Sequence, residues 1–202
     1  MKAVESNILT VSSSEAHEKG LSEQAKVFAL IVGLGSILMT FAALTSAYIV
    51  RRGDGKWIAF DLPSVFYWST LVIVLSSLSM IAAQVAAKRD ELLLMRASLI
   101  VTIILGCQFL YLQFQGWKQL VADGIFFAGS SSNPSGSFVY VFTGFHGLHI
   151  VGGIVVLMIA LIKAFQWRIH KRNMITIKMA SIYWHFVDAI WVYLFVFLSM
   201  LR

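Results

Sequence analysis

Five long runs of apolar residues, each separated from the next by a short charged or polar segment, constrain this chain more than any other feature. The runs cover about 27–50, 64–87, 92–114, 138–165 and 175–201. A helix needs roughly 20 apolar residues to cross a bilayer, and each run reaches that length. The sequence therefore predicts an all-α membrane protein, a bundle of five transmembrane helices.

The composition agrees with a membrane location. Hydrophobic residues make up 58% of the 202 residues and charged residues 13%, and the mean hydropathy is +0.79. Soluble domains carry about 45–50% apolar residues. The net charge of +6 is spread over short segments, so it gives no support to a nucleic-acid partner. The single cysteine, Cys107, lies in an apolar run, and we expect it to be buried and inert.

Lysine and arginine are distributed unequally between the two ends of the runs. With the loops assigned to alternate sides, eleven of the 16 basic residues lie on the side of the amino terminus and five on the other. Cytoplasmic loops carry the excess of Lys and Arg, so we predict a cytoplasmic amino terminus and an external carboxyl terminus.

Residues 1–25 are polar, and we expect a disordered or surface-lying tail there, followed by the membrane domain at 26–202.

Four ionisable side chains lie inside the last two runs: His146 and His149 in the fourth, His185 and Asp188 in the fifth. At about 1.5 Å per helical residue, all four fall near the middle of a hydrocarbon core about 30 Å thick. A carboxyl group there costs several kcal/mol without a partner. We therefore expect Asp188 to form a hydrogen bond with one of the three histidines, which would lock the fourth helix to the fifth.

Trp184 and Trp191 share a helix stripe with Asp188, because residues three, four or seven apart lie on one face. Three functions stay open for this polar seam: a metal or haem site, a proton or ion pathway, or a structural clamp between helices. The second run adds hydroxyl groups that we expect to form interhelical hydrogen bonds. They belong to Ser69, Thr70, Ser76, Ser77 and Ser79.

Two long motifs stand in the last two runs. One reads Thr-Gly-Phe-His-Gly-Leu-His at 143–149, and the other reads Tyr-Trp-His-Phe-Val-Asp at 183–188. Gly152-Gly153 follow the first and Trp191 follows the second. Together they resemble the signature of subunit III of haem-copper terminal oxidases. The resemblance covers the chain from about Phe28 to its end and fits the five-helix bacterial form.

The resemblance implies a non-catalytic subunit of a proton-pumping oxidase that reduces O₂ to water. A cytochrome c oxidase is the first choice, a quinol oxidase the alternative, and a small-solute channel or transporter the outside alternative. No cofactor is expected on this chain, because subunit I, the main partner, would hold the haems and copper. Subunit II, small subunits and a larger respiratory supercomplex are the further partners implied. The implied location is the bacterial inner membrane, and a structural clamp becomes the favoured role of the buried polar residues.

Members of the family also hold structural phospholipids in a cleft. We expect this cleft between the first two helices and the last three. Contacts with lipid head groups or with the membrane interface are expected from Arg51, Arg52, Trp57 and Trp68.

The sequence departs from the family pattern at one position. Members often carry a carboxylate near the middle of the helix that corresponds to the first run, and residues 33–38 contain none, so any role of that acid does not carry over.

Overall fold

The structure, a computed structural model, describes residues 2–53, 57, 60–129, 132–167 and 174–201, with side chains from Glu23 onward. Five helices follow one another along the chain: α1 (Lys2–Arg52), α2 (Val65–Lys88), α3 (Leu92–Ala122), α4 (Pro134–Phe165) and α5 (Ile175–Met200). Each contains a stretch long and apolar enough to cross a membrane. The predicted all-α fold with five transmembrane helices is confirmed.

The helix bounds differ from the predicted spans mainly at α1. Residues 2–25, expected to be disordered or to lie along the surface, are helical and continuous with the first span. This segment contains one glycine and no proline, and nothing in it interrupts a helix. The chain divides into two compact units, residues 1–37 and 38–202, and the packing described below belongs to the second.

The start of α4 shows how local sequence sets a boundary. The Asn133 side chain accepts a hydrogen bond from the backbone N–H of Ser135 at 3.0 Å, and Pro134 occupies the first helical position. Both choices favour a helix start, because the asparagine satisfies a free N–H and the proline has none to lose. Upstream, α3 continues to Ala122 and ends before Gly124, whose positive φ of 77° suits a glycine. The loop between α3 and α4 is therefore shorter than the predicted 115–137.

Four helices form an up-and-down bundle. Helix α2 packs against α3 and α5, and α4 also packs against α3 and α5, so α2 and α4 lie on one diagonal. Buried positions recur at alternating spacings of three and four residues, the pattern of closely packed helices. In α2 this stripe comprises Phe66, Ser69, Ile73, Ser76, Met80, Ala83 and Ala87. Small residues in the stripe let neighbouring backbones approach.

Within residues 38–52, α1 contacts the bundle through a narrow stripe. Only Phe41, Thr45 and Tyr48 are buried there, at spacings of four and three residues. The Tyr48 ring lies against three phenylalanines of α4 and α5, and its hydroxyl donates a hydrogen bond to the Leu201 carbonyl at 3.1 Å. Aromatic side chains, rather than close backbone approach, therefore connect this part of α1 to the rest.

Two further expectations were wrong. Cys107 is exposed, because it lies on the face of α3 opposite the buried Gly106 and Phe109 stripe. Among the described residues, α2 packs in the bundle with α3 and α5, so the predicted cleft with α1 and α2 on one side is not formed there. An open groove of about 700 Å³ instead lies between α1 and α4. It is lined by Ala43, Ser46, Ala47, Val50, Arg51 and Phe138.

Candidate functional site

Trp184 of α5 lies at the centre of the bundle and contacts the other three of its helices. A Cβ atom added to Gly106 of α3 would lie 2.8 Å from Cη2 of the indole, and one added to Gly153 of α4 would lie 3.0 Å from Cε3 and Cζ3. The indole N–H donates to Oγ of Ser76 on α2 at 3.0 Å. The two glycines leave the space that this ring occupies. One side chain therefore connects all four helices.

Trp191, two turns further along α5, repeats this arrangement. Its indole N–H donates to Oγ1 of Thr70 on α2 at 3.0 Å. The ring packs edge-on against Phe109, with centroids 5.0 Å apart, and lies 5.1 Å from the His146 ring. The Phe66 ring stacks on the same indole, with centroids 6.2 Å apart. The two tryptophans are thus successive cross-links between α5 and α2.

Among the described residues, the same type of hydrogen bond occurs four times between helices of the bundle. In each case a side-chain N–H donates to a hydroxyl oxygen, and that hydroxyl donates its own hydrogen to a carbonyl three or four residues earlier in its helix. The pairs are Trp184–Ser76, Trp191–Thr70, Gln113–Ser69 and Trp117–Thr143. Both hydrogen-bonding needs of each hydroxyl are met inside the protein, which suits an apolar environment.

The hydroxyl groups predicted to bond between helices all do so. Ser69, Thr70 and Ser76 accept the hydrogen bonds described above. Ser77 bonds to Nδ1 of His185 on α5, and Ser79 donates to the Ser98 carbonyl of α3 at 2.9 Å. The hydroxyl-rich face of α2 therefore faces α3 and α5.

The predicted hydrogen bond between Asp188 and a histidine is not formed among the described residues, so that prediction was wrong. Asp188 is buried with Ser77 as its polar neighbour, and no histidine of the described residues donates to its carboxyl oxygens. His185 uses Ser77 as its partner. Helix α5 thus turns both groups towards α2, whereas it contacts the His149 carbonyl of α4 through the Tyr183 hydroxyl at 3.0 Å.

The two histidines of α4 differ in their surroundings. His146 is fully buried, and neither ring nitrogen has a partner among the described residues. His149 bonds through Nδ1 to its own helix, at the Phe145 carbonyl. The ring of Phe41, on α1, packs against both histidines, with centroids 6.3 and 5.7 Å apart. In this chain, α1 contacts the two histidines through an aromatic ring, that of Phe41, and not through a carboxylate.

The residues expected at lipid head groups do not form one cluster. Arg51 and Arg52 end α1, and Arg51 lines the groove between α1 and α4. Trp57 packs edge-on against Tyr48 at 4.6 Å, whereas Trp68 is 63% exposed on α2. Of these four residues, only Arg51 lines the groove between α1 and α4.

The geometry does not favour metal binding. Across the described ranges, no three His, Cys, Asp or Glu side chains lie close enough together to hold a metal ion. His146 and His149 face α1 and Trp191, whereas His185 and Asp188 face α2. The candidate ligands therefore do not converge on one position.

Sequence reasoning missed three contributors to this seam. Trp117 lies at the end of the predicted third span, and Phe41 and Tyr183 lie in ordinary apolar surroundings. Trp117 and Tyr183 each carry a donor on an aromatic ring, and such donors usually find a partner when buried. A search for aromatic donors within the predicted spans and at their ends would have found Trp117 and Tyr183, but no sequence signal marks Phe41.

Fold and site together define a polytopic membrane protein whose interior is built for helix packing rather than for chemistry. The sequence model of a family described as Cytochrome c oxidase subunit III matches residues 59–201. The chain belongs to that family. It is thus a non-catalytic member of an oxidase complex, and it associates with other oxidase subunits.

Similarity to individual proteins extends over nearly the whole chain. A cytochrome c oxidase subunit 3 of Thermostichus vulcanus is 32% identical over 211 residues, which cover 98% of this chain and 96% of that protein. A probable cytochrome c oxidase subunit 3 of Mycobacterium tuberculosis is 29% identical over 198 residues, with 96% of each chain covered. A probable subunit 3 of Nocardia farcinica is 31% identical over 182 residues, 85% of this chain and 86% of that one. These names support the first choice, a cytochrome c oxidase.

Proposed function

We propose that this chain is a structural subunit that packs against subunit I, the carrier of the haems and copper, and preserves its activity through many turnovers. The observation that carries the proposal is the use made of the buried polar groups. Four interhelical N–H groups donate to hydroxyls that are themselves satisfied, so these polar groups hold the helices together. Subunit II and smaller subunits are the further partners, with a respiratory supercomplex as the larger assembly.

The central experiment separates assembly from catalysis. The tagged chain, purified in mild detergent, should bring down a haem-bearing partner, visible in the absorption spectrum of the complex. Oxidase depleted of this chain should consume oxygen at nearly the normal initial rate and then lose activity over successive turnovers sooner than the intact complex. A normal decay, or an initial rate near zero, would contradict the proposal.

We also propose that the groove between α1 and α4 holds a structural phospholipid. Its lining is apolar apart from Ser46 and Arg51, and Arg51 is suited to an anionic head group. Native mass spectrometry of the complex should show one fewer retained phospholipid in Arg51→Gln. Its neighbour Arg52, which does not line the groove, supplies the control variant Arg52→Gln. Equal lipid content in the two variants would remove the groove as the binding site.

The proposed location is the bacterial inner membrane, with the amino terminus and the α2–α3 turn in the cytoplasm. The excess of basic residues on that side supports this orientation. In a Cys107→Ser background, an impermeant thiol reagent added from outside should label a cysteine at Ser132 and spare one at Lys88. The reverse pattern would invert the topology. The basic segment 168–173, on which part of the orientation rests, lies outside the described residues.

A further inference from the structure

The outward face of α3 is polar at the depth where a membrane is most apolar. Gln108 is exposed there, and Tyr111, one turn further along, is 55% exposed. Gln108 lies 16 residues after Leu92 and 14 before Ala122, so about 24 and 21 Å of helix separate it from the two ends. With a hydrocarbon core of about 30 Å, its amide lies near the midplane.

Lipid cannot satisfy these groups. A glutamine amide can form up to four hydrogen bonds, and acyl chains offer none. The Gln115 amide donates to the Tyr111 hydroxyl at 2.7 Å. The tyrosine oxygen is therefore already an acceptor, and its hydrogen is left to donate elsewhere. A face with an amide and a phenol at this depth is suited to a protein surface with acceptors of its own.

The neighbouring helices present a different surface at the same depth. At the level of Gln108 their exposed side chains are aliphatic, and the exposed Tyr67 and Trp68 lie about one turn further along α2. The aliphatic side chains are Leu71, Val74, Leu75 and Leu78 on α2, and Leu148, Val151, Val155 and Met158 on α4. Such faces are compatible with acyl chains. The polarity of the α3 face is thus a local feature and not a general property of the bundle.

We propose that this α3 patch binds a transmembrane helix of another oxidase subunit. The patch comprises Ile104, Cys107, Gln108, Tyr111, Phe114 and Gln115. The helix that fits it carries small side chains, which allow close approach, and a hydroxyl or freed carbonyl oxygen near the midplane to accept from Gln108 and Tyr111. The inference rests on the proposed function, because it needs neighbouring subunits in the membrane.

Photo-crosslinking in the assembled oxidase tests the contact. Benzoylphenylalanine replaces Ile104, an exposed apolar position at the edge of the patch, and in a second strain Leu148, an equally accessible position on α4. Irradiation should link position 104 to another oxidase subunit, identified by mass spectrometry, at a yield several-fold above that at position 148. A covalent dimer of this chain, or a yield at 104 no higher than at 148, would overturn the proposal.

The direction in which one substitution changes the binding of this chain to the complex gives an independent test. Gln108→Leu keeps the size and removes the amide. If a partner helix accepts from Gln108, the association constant between this chain and the rest of the complex in detergent should fall roughly three-fold, since an average interhelical hydrogen bond corresponds to about that factor. Leu78→Ile, at an exposed position on α2, gives the baseline. An association constant equal to or above the baseline would show that Gln108 faces lipid, and the proposal would fail.

The two proposals fail in different ways. If the chain purifies without a haem-bearing partner, the proposed function is wrong. If it purifies with the oxidase but position 104 gives no link to another subunit, only the inference about the α3 patch is wrong.

Discussion

The helices α2 to α5 and the 38–52 segment of α1 all belong to apolar spans, yet they are held in place by different contacts. In the bundle, glycines let the backbones lie close to the Trp184 ring. Indole and amide N–H groups there donate hydrogen bonds to hydroxyls of neighbouring helices. The α1 segment buries only Phe41, Thr45 and Tyr48, and its contacts are mostly between aromatic rings. Apolar length places a helix in the membrane, but small residues and paired polar groups hold helices together there.

Trp184→Ala should have the largest effect, because it removes the side chain that joins four helices. Truncating a buried tryptophan costs about 3–5 kcal/mol. We expect the variant to be lost from the complex and to melt at a much lower temperature in detergent. Trp68→Ala, at an exposed position on α2, is the control and should change the free energy of unfolding by less than about 0.5 kcal/mol. Equal losses would show that the central ring has no special role.

Gly106→Ala should come next. Its new methyl group would lie 2.8 Å from the indole of Trp184, and overpacking of this kind costs about 1–3 kcal/mol. Gly147→Ala is a matched control on α4, where the new methyl group would lie 3.8 Å from Leu110, an ordinary contact. Thermal melting of the two purified complexes should separate them clearly. Similar melting temperatures would mean that the ring moves aside at little cost.

Trp191→Phe and Thr70→Val each remove one partner of the same hydrogen bond. Interhelical hydrogen bonds in membranes contribute about 0.6 kcal/mol on average, with a maximum near 1.7 kcal/mol. The double variant should be destabilised by less than the sum of the two single variants, with a coupling in this range. Additive effects would show that the 3.0 Å contact adds nothing to stability.

Tyr48→Phe should have the smallest effect and one confined to α1. It removes only the hydrogen bond to the Leu201 carbonyl and keeps the ring contacts, so we expect at most about 0.6 kcal/mol. Hydrogen exchange should accelerate in residues 38–52 and stay unchanged in α2 to α4. Faster exchange throughout the bundle would show that α1 supports the other helices more than its narrow contact implies.

Much of the fold could be predicted, because its causes are local to the chain. Five spans follow from apolar runs that lipid requires to be helical, and the hydroxyls of α2 were correctly expected between helices. The partners of Asp188 could not be predicted. Depth places His146, His149 and Asp188 at one level, but rotation about the helix axes decides whether they meet, and α5 turns Asp188 towards Ser77.

The sequence by itself determined the membrane class, the number of helices and, through two motifs, the oxidase family. These properties depend on length, hydropathy and residue order. Only the tertiary structure decided that α2 belongs to the bundle, that Trp184 fits between Gly106 and Gly153, and that Cys107 faces outward. Which faces of apolar helices meet depends on the shape of small and large side chains across several segments, and hydropathy is nearly the same on every face.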